Sequence, residues 1–270
     1  MSKQTLILNS HSLSNFQQCE ARHLFADKIC LEPLISKKVF DEGTMIHAWL
    51  RIYYYNKKKF SISRNKCLAN PIMWINGAKK HWGIEPNRAF ELYRILISYQ
   101  SNYKNETWQT IGTEVGFSKI LYEDDQYLFI YEGKMDWLGY SGTDKIVVDH
   151  KSRNGKYQIY EFNNQCRGYL WATGANKFVY NMITMTNIPS FERIAYSFSD
   201  SQIETWKNDT IEWYKRVAQA NANKNFVRSW NCSSKYGVCE FHSLCENPEP
   251  ERQLFTIKST FKIGKIHRSW

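Results

Sequence analysis

Two aspartates and a lysine, Asp136, Asp149 and Lys151, sit on two β-favouring runs separated by the turn-rich tetrapeptide Ser141-Gly142-Thr143-Asp144. Residues 133–151 are therefore expected to form a β-hairpin. Alternation along its second strand places Val147, Asp149 and Lys151 on one side and Ile146 and Val148 on the other, packed side. Asp136 falls on the first strand, about where a cross-strand partner of Asp149 belongs. Two carboxylates converging with an ammonium group on a half-buried sheet are costly unless something offsets them. A divalent cation does so, because hard ions prefer carboxylate oxygen. The chemistry open to such a set is metal-assisted phosphodiester hydrolysis. The ion polarises a phosphoryl oxygen and acidifies water, while the lysine orients the nucleophile or stabilises charge on phosphorus. An isolated Asp-x-Lys is more often a solvated surface pair, so the remaining residues decide its weight.

Other chemistry-bearing residues are scattered along the chain. His47 comes early in a predicted helix. Alone it reads as a hydrogen-bonded structural residue, and within a set as a metal ligand or phosphate contact. Glu114 is the one carboxylate of a predicted strand. Gln165 and Tyr169 are four apart and share a helix face. Cys232, Cys239 and Cys245 form a compact cysteine segment, and Cys19 lies far upstream; alone, Cys19 reads as a small core residue. Cys30, Cys67 and Cys166 have no evident partners and read as core. No Ser-His-Asp or Cys-His arrangement stands out.

The 270 residues carry a net charge of +10, which favours a polyanionic partner, with nucleic acid the first candidate and an anionic membrane the second. Ten Trp, 17 Tyr and 15 Phe among 36 Lys and Arg suit base stacking and phosphate contact, although any single aromatic is better read as core. No signal peptide is visible, and no apolar run approaches the roughly 18 residues of a membrane span. Seven cysteines without a secretory signal imply a reducing compartment, in which clustered thiols bind metal more often than they pair.

The elements that must hold these residues follow from periodicity and capping. Ser12-Leu13-Ser14 is expected to cap a helix over 15–29, and Gly43-Thr44 to open a second with Met45, Ile46, Trp49, Leu50 and Tyr53 buried. The basic stretch 56–66 reads as an exposed loop. Proline-led helices are expected over 71–82 and 86–103, the latter with Phe90, Leu92, Tyr93, Leu96 and Ile97 as its apolar spacing. Strands follow over 110–121 and 126–135, then the hairpin, a helix over 158–175 with Lys156 and Arg167 nearby, and strands over 178–185 and 191–198. A helix capped by Ser199-Asp200 runs to about Asn223. The expectation is an α/β chain with one domain over 1–250 and a basic tail over 251–270.

Taken together, these motifs resemble the RecB-like branch of the PD-(D/E)xK nuclease superfamily, near CRISPR-adaptation exonucleases, the AddB nuclease domain and phage-borne relatives. The likeness runs from Ser12 to Cys245 through Ser-Leu-Ser-x-Phe-x-x-Cys, Gly-Thr-x-Ile-His, the strand glutamate, Gly-x-x-Asp, Asp-x-Lys, Gln-x-x-x-Tyr and the cysteine segment. It implies a restriction-endonuclease-like core, a central mixed β-sheet flanked by helices. By resemblance, His47, Asp136, Asp149 and the backbone carbonyl of His150 would ligate Mg²⁺ or Mn²⁺, and Lys151 would be the catalytic lysine. Gln165 and Tyr169 would position substrate or the lysine, and Glu114 would serve a second metal or a structural role. Cys19, Cys232, Cys239 and Cys245 would hold a [4Fe–4S] cluster clamping the terminal segments together. The six residues between Cys232 and Cys239 exceed the two of several relatives, and four thiolates also suit zinc. The implied activity is that of a metal-dependent deoxyribonuclease, an exonuclease on single strands or DNA ends, in the cytoplasm of a prokaryote or phage-infected host. The competing reading is a non-catalytic module that binds DNA or a partner protein.

Overall fold

The computed structural model describes residues 3–33, 38–60, 71–153, 164–229, 232–234, 237–247 and 255–257. Strand β1 (Gln4–Asn9) leads into helices α1 (Ser10–Gln18) and α2 (Glu20–His23), a π-helical turn (Leu24–Lys28) and strand β2 (Leu31–Pro33). Helices α3 (Lys38–Phe60), α4 (Pro71–Trp82) and α5 (Pro86–Asn102) precede strands β3 (Gln109–Glu123), β4 (Tyr127–Ser141) and β5 (Asp144–Arg153). Then come α6 (Asn164–Thr173), β6 (Lys177–Thr184), β7 (Phe191–Tyr196) and α7 (Asp200–Asn223). The last described elements are short: β8 (Ser233–Ser234), β9 (Gly237–Val238), α8 (His242–Glu246) and β10 (Phe255–Ile257).

The principal sheet is mixed and flanked by helices, as expected. Its order is β1-β4-β5-β6-β7, with β3 also paired to β4. β4 and β5 form the antiparallel hairpin, and Gly142 takes φ +62 in its turn, a left-handed conformation open to glycine without a steric penalty. β5 and β6 are parallel and β6 and β7 antiparallel. A parallel neighbour needs a crossover, and α6 lies in this one. Because β5 is flanked by β4 and β6 and covered on both faces, Ile146, Val147 and Val148 are all buried. The sequence reading had given the strand only one packed side.

Other boundaries moved for local reasons. The helix expected over 15–29 is three pieces. Asn9, rather than the Ser12 segment, is the cap, its Oδ1 accepting the N–H groups of His11 and Ser12 at 2.9 Å. The backbone then extends at Cys19 (φ −166, ψ 121), which ends α1 before α2 begins. α3 starts at Lys38, ahead of Gly43-Thr44, and extends through 56–60, so the start of the expected basic loop is helical. Phe90 is exposed, whereas Leu92, Tyr93 and Leu96 face the core. Residues 61–66, 158–163, Cys67 and Lys156 lie outside the described residues. Cys166 is buried as expected, while Cys30 is only half-buried and sits at φ 58.

The chain divides into two compact units. One comprises residues 37–120 and 131–208, and its core sets Met45, Ile46, Trp49, Leu50 and Tyr53 of α3 with α5 residues and Trp137, Val148 and Ile183 of the sheet. Cutting a fully buried residue such as Leu50 back to alanine costs about 2–5 kcal/mol. The other unit comprises residues 1–36, 121–130 and 209–270. It has a small cluster of Leu31, Phe241 and Leu244, and β10 pairs antiparallel with β2. Part of the segment beyond Glu251 is thus a strand.

Candidate active site

The hairpin register pairs Trp137 with Val148, and one step beyond that pair stand Asp136 and Asp149. Asp149 is held from two directions. Its Oδ1 accepts from Gln165 Nε2 at 2.7 Å, and its Oδ2 faces Lys151 Nζ at 2.7 Å. Lys151 Nζ also donates to Gln165 Oε1 at 3.4 Å, which closes a triangle of carboxylate, ammonium and amide. α6 supplies the third corner because Gln165 lies in its first turn, and Tyr169, one turn later, donates to Lys134 O at 3.1 Å. Gly133 makes room for that tyrosine, since a Cβ there would come within 2.6 Å of ring atoms of Tyr169 and Phe117.

Asp136 is fixed differently. Its Oδ2 accepts the backbone N–H of His150 at 2.7 Å and faces His47 Nδ1, from α3, at 3.4 Å. The acids form the floor and the cations the mouth. The Asp149 and Asp136 side chains are 7% and 14% exposed, against 32% for Lys151 and 33% for His47.

These positions separate the titrations of four groups. Burial alone would raise the Asp136 carboxyl. The hydrogen bond and charge of His47, the charge of His150 and its N–H prevail and hold it well below the usual carboxylate range. Asp149 goes the other way, because burial and the charge of Asp136 outweigh Lys151. Burial pushes His150 down to about 3, so it is a neutral imidazole at pH 7. Burial would also lower His47, but its hydrogen bond to Asp136 and the two aspartate charges raise it.

Glu114 is engaged elsewhere, in an ion pair with Lys134 of the neighbouring strand. It takes φ 55, an uncommon backbone region for a residue with a Cβ and a form of local strain that clusters at functional sites. Arg167 packs its guanidinium 4.8 Å from the Phe198 ring centroid. The sequence reading passed over Asn181, whose Nδ2 lies 2.8 Å from His150 Nδ1, and Arg193 beyond it. One signal was available: Asn181 is the lone amide in the apolar run Phe-Val-Tyr-Asn-Met-Ile.

Within the smaller unit, Cys19 and Cys232 meet at Ser229. Cys19 Sγ accepts the Ser229 N–H at 3.4 Å, and Cys232 Sγ donates to Ser229 O at 3.5 Å. The Cys239 N–H donates to Cys232 O at 2.7 Å. Burial raises the Cys245 thiol; Arg228 opposes this, and Cys19, Cys239 and Cys232 add to it. The four cysteines are thus neighbours. Among the described residues, however, no group of three or more His, Cys, Asp or Glu is arranged to hold a metal ion, at the aspartates or at the thiols.

A family model of the PD-(D/E)XK nuclease superfamily matches residues 8–246. The chain belongs to that superfamily. Among curated proteins none matches this PD-(D/E)XK chain. Among solved structures, it is similar to a Eubacterium rectale protein named "Putative exonuclease". The TM-score is 0.52 at 13% identity, covering 98% of this chain and 94% of that one, a likeness of fold. A second structure, SSO0001, covers 64% of this chain and 84% of its own at 14% identity, with a TM-score of 0.31. No described helix of the PD-(D/E)XK chain is long and apolar enough to cross a membrane.

Proposed function

We propose that the protein is a Mg²⁺- or Mn²⁺-dependent deoxyribonuclease, an exonuclease acting on single-stranded DNA or DNA ends. The observation that carries this reading is the buried Asp149 carboxylate, gripped by Lys151 and Gln165 at the same level of the hairpin as Asp136. Superfamily membership supports hydrolysis of a nucleic acid. The net charge of +10 supports a polyanionic substrate.

The donor set fits a hard divalent ion: two carboxylates, the His47 imidazole and the His150 carbonyl, with Asp149 Oδ2 buried and lacking an aligned hydrogen bond. Such an ion supplies charge neutralisation at phosphorus and acidifies a water. The chain's own groups do the rest. Lys151, half-buried beside Asp149, offers an ammonium group to the pentacovalent phosphate or to the attacking water. Gln165 keeps that lysine and carboxylate in register, and Tyr169 anchors α6 to the strand at Lys134. His47, at the mouth, meets the substrate phosphate or completes the ligand set.

On donor chemistry alone, four thiols suit a thiolate-bound centre, and we propose that Cys19, Cys232, Cys239 and Cys245 hold a [4Fe–4S] cluster ahead of zinc. Their role would be to staple the Cys19 junction to the segment carrying Cys232, Cys239 and Cys245. Iron and sulfide analysis of protein purified without oxygen, with its visible spectrum, tests this; a colourless protein with one equivalent of zinc would replace the assignment. The nuclease reading is tested with end-labelled and end-blocked oligonucleotides, single- and double-stranded, in Mg²⁺, Mn²⁺ or EDTA. Metal-dependent release of mononucleotides from free ends is expected. Binding without cleavage in every metal would leave a non-catalytic DNA-binding module.

A further inference from the structure

Behind the acids lies a row of three polar residues, one from each of three neighbouring strands. The parallel register of β5 and β6 sets His150 opposite Asn181, and the antiparallel register of β6 and β7 sets Asn181 opposite Arg193. His150 and Asn181 are buried. By alternation the His150 side chain lies on the sheet face opposite that of Asp149 and Lys151.

Hydrogen-bond chemistry fixes the direction of every contact in the row. Arginine can only donate, so Arg193 Nε, at 3.5 Å, requires the Asn181 oxygen on its side. The Asn181 amide nitrogen must then point the other way, and its two hydrogens have two partners, Tyr99 Oη at 3.0 Å and His150 Nδ1 at 2.8 Å. His150 Nδ1 is therefore an acceptor, and the ring proton sits on Nε2. Arg193 itself is clamped. Its guanidinium carbon lies 3.6 Å and 3.7 Å from the ring centroids of Tyr103 and Trp108. It also pairs with buried Glu106 and donates to Tyr54 Oη at 3.1 Å and Tyr99 Oη at 3.3 Å. Tyr54 lies parallel to the His150 ring, centroids 5.9 Å apart at 8°, and His47 meets that ring edge-on.

We propose that Asn181, oriented by Arg193, is a positioning residue of this site: it locks the His150 ring as the Nε2–H tautomer and so fixes the strand segment that presents Asp149, Lys151 and the N–H holding Asp136. This rests on the nuclease reading. Groups that orient the residues around a metal site commonly contribute 10–100-fold in affinity or activity, and this row is built to orient without touching substrate.

The experiment uses the full-length protein. ¹⁵N-imidazole NMR of the wild type, with His150 assigned through His150→Gln, is expected to show Nδ1 bare and Nε2 protonated; a protonated Nδ1 overturns the proposal with no variant needed. Asn181→Asp keeps the shape but removes the donor. It is expected to move the proton to Nδ1, lower kcat 10–100-fold and raise half-saturating Mn²⁺, leaving the KM for DNA within about twofold. A merely structural asparagine would lower the melting temperature and the active fraction without changing the tautomer or the Mn²⁺ requirement. Arg193→Lys keeps a donor-only group facing the Asn181 oxygen and is expected to retain the wild-type tautomer. Wild-type kcat and Mn²⁺ dependence in Asn181→Asp sink the proposal even if the nuclease reading stands. A wild type that cuts nothing sinks the nuclease reading, while the tautomer still reports on the row.

Discussion

Asp136 Oδ2 is fastened to the backbone N–H of His150 at 2.7 Å, so a carboxylate on one strand is tethered to the main chain of the next. The same oxygen faces His47 Nδ1 at 3.4 Å. The two acids therefore differ in kind. Asp136 is stabilised as an anion, whereas Asp149 is a buried anion that the fold tolerates.

That difference predicts an inverse effect on stability and activity at Asp149. Asp149→Asn removes a charge whose carboxyl burial pushes upward, so the variant is expected to melt at or above the wild-type temperature at pH 7. Cleavage is expected to fall by at least about 10²–10³, the usual loss for an electrostatic group at such a site. Calorimetry and a DNA cleavage assay on one preparation check both. A variant that cuts at the wild-type rate would remove Asp149 from the active site.

Lys151→Met is expected to lower cleavage by a similar factor of about 10²–10³ while DNA binding, read by fluorescence anisotropy, stays within a few-fold. The ammonium group meets Asp149 and Gln165, so its loss is felt in the chemical step. A parallel collapse of binding would mark it as a simple phosphate contact.

Gly133→Ala puts a methyl group within 2.6 Å of the Tyr169 and Phe117 rings. Overpacking of this kind costs about 1–3 kcal/mol. Because Tyr169 anchors the helix that carries Gln165, the variant is also expected to lose activity, and Gly133→Ala with Tyr169→Phe is expected to recover none of it. Thermal melts and cleavage rates measured side by side test the coupling.

In the smaller unit, Asp27 accepts from Ser12 Oγ at 3.1 Å and Asn15 Nδ2 at 3.0 Å and faces His23 Nδ1 at 3.1 Å. Burial would raise its carboxyl, but His23, Asn15 and Ser12 together lower it. A depressed folded value means the stabilisation is fully present above the ordinary value of 3.8 and is lost as pH falls through the lower folded one. Asp27→Asn is thus expected to cost about 1.5–3 kcal/mol at pH 7, with the gap to wild type shrinking below pH 4. Denaturant melts at pH 7 and pH 3 measure it; an equal gap at both would refute the linkage.

Much of the site was legible because hairpin periodicity and turn chemistry are local. The Ser141–Asp144 turn, the Asp136–Asp149 level and the Gln165–Tyr169 spacing all follow from residues close in sequence. The alternation of β5 misled about burial, because a strand's second face is decided by elements far along the chain. Asn181 and Arg193 were illegible for the same reason. An amide in an apolar run acquires meaning only when a parallel crossover sets it beside His150. Glu114 read as an acid on a strand, and only the paired strand shows that Lys134 occupies it. At Cys19 the helical pattern of the sequence runs straight through a point where the backbone is extended.

The row from His150 to Arg193 also depends on the register of β6. A slip of one residue in β6 would turn Asn181 to the opposite face and leave both its neighbours facing apolar side chains. A nascent chain that has made the hairpin but not yet β6 and β7 carries both aspartates and the lysine without the row that braces them. On the proposed nuclease reading, the full rate of cleavage would be reached only once β6 and β7 have joined the principal sheet.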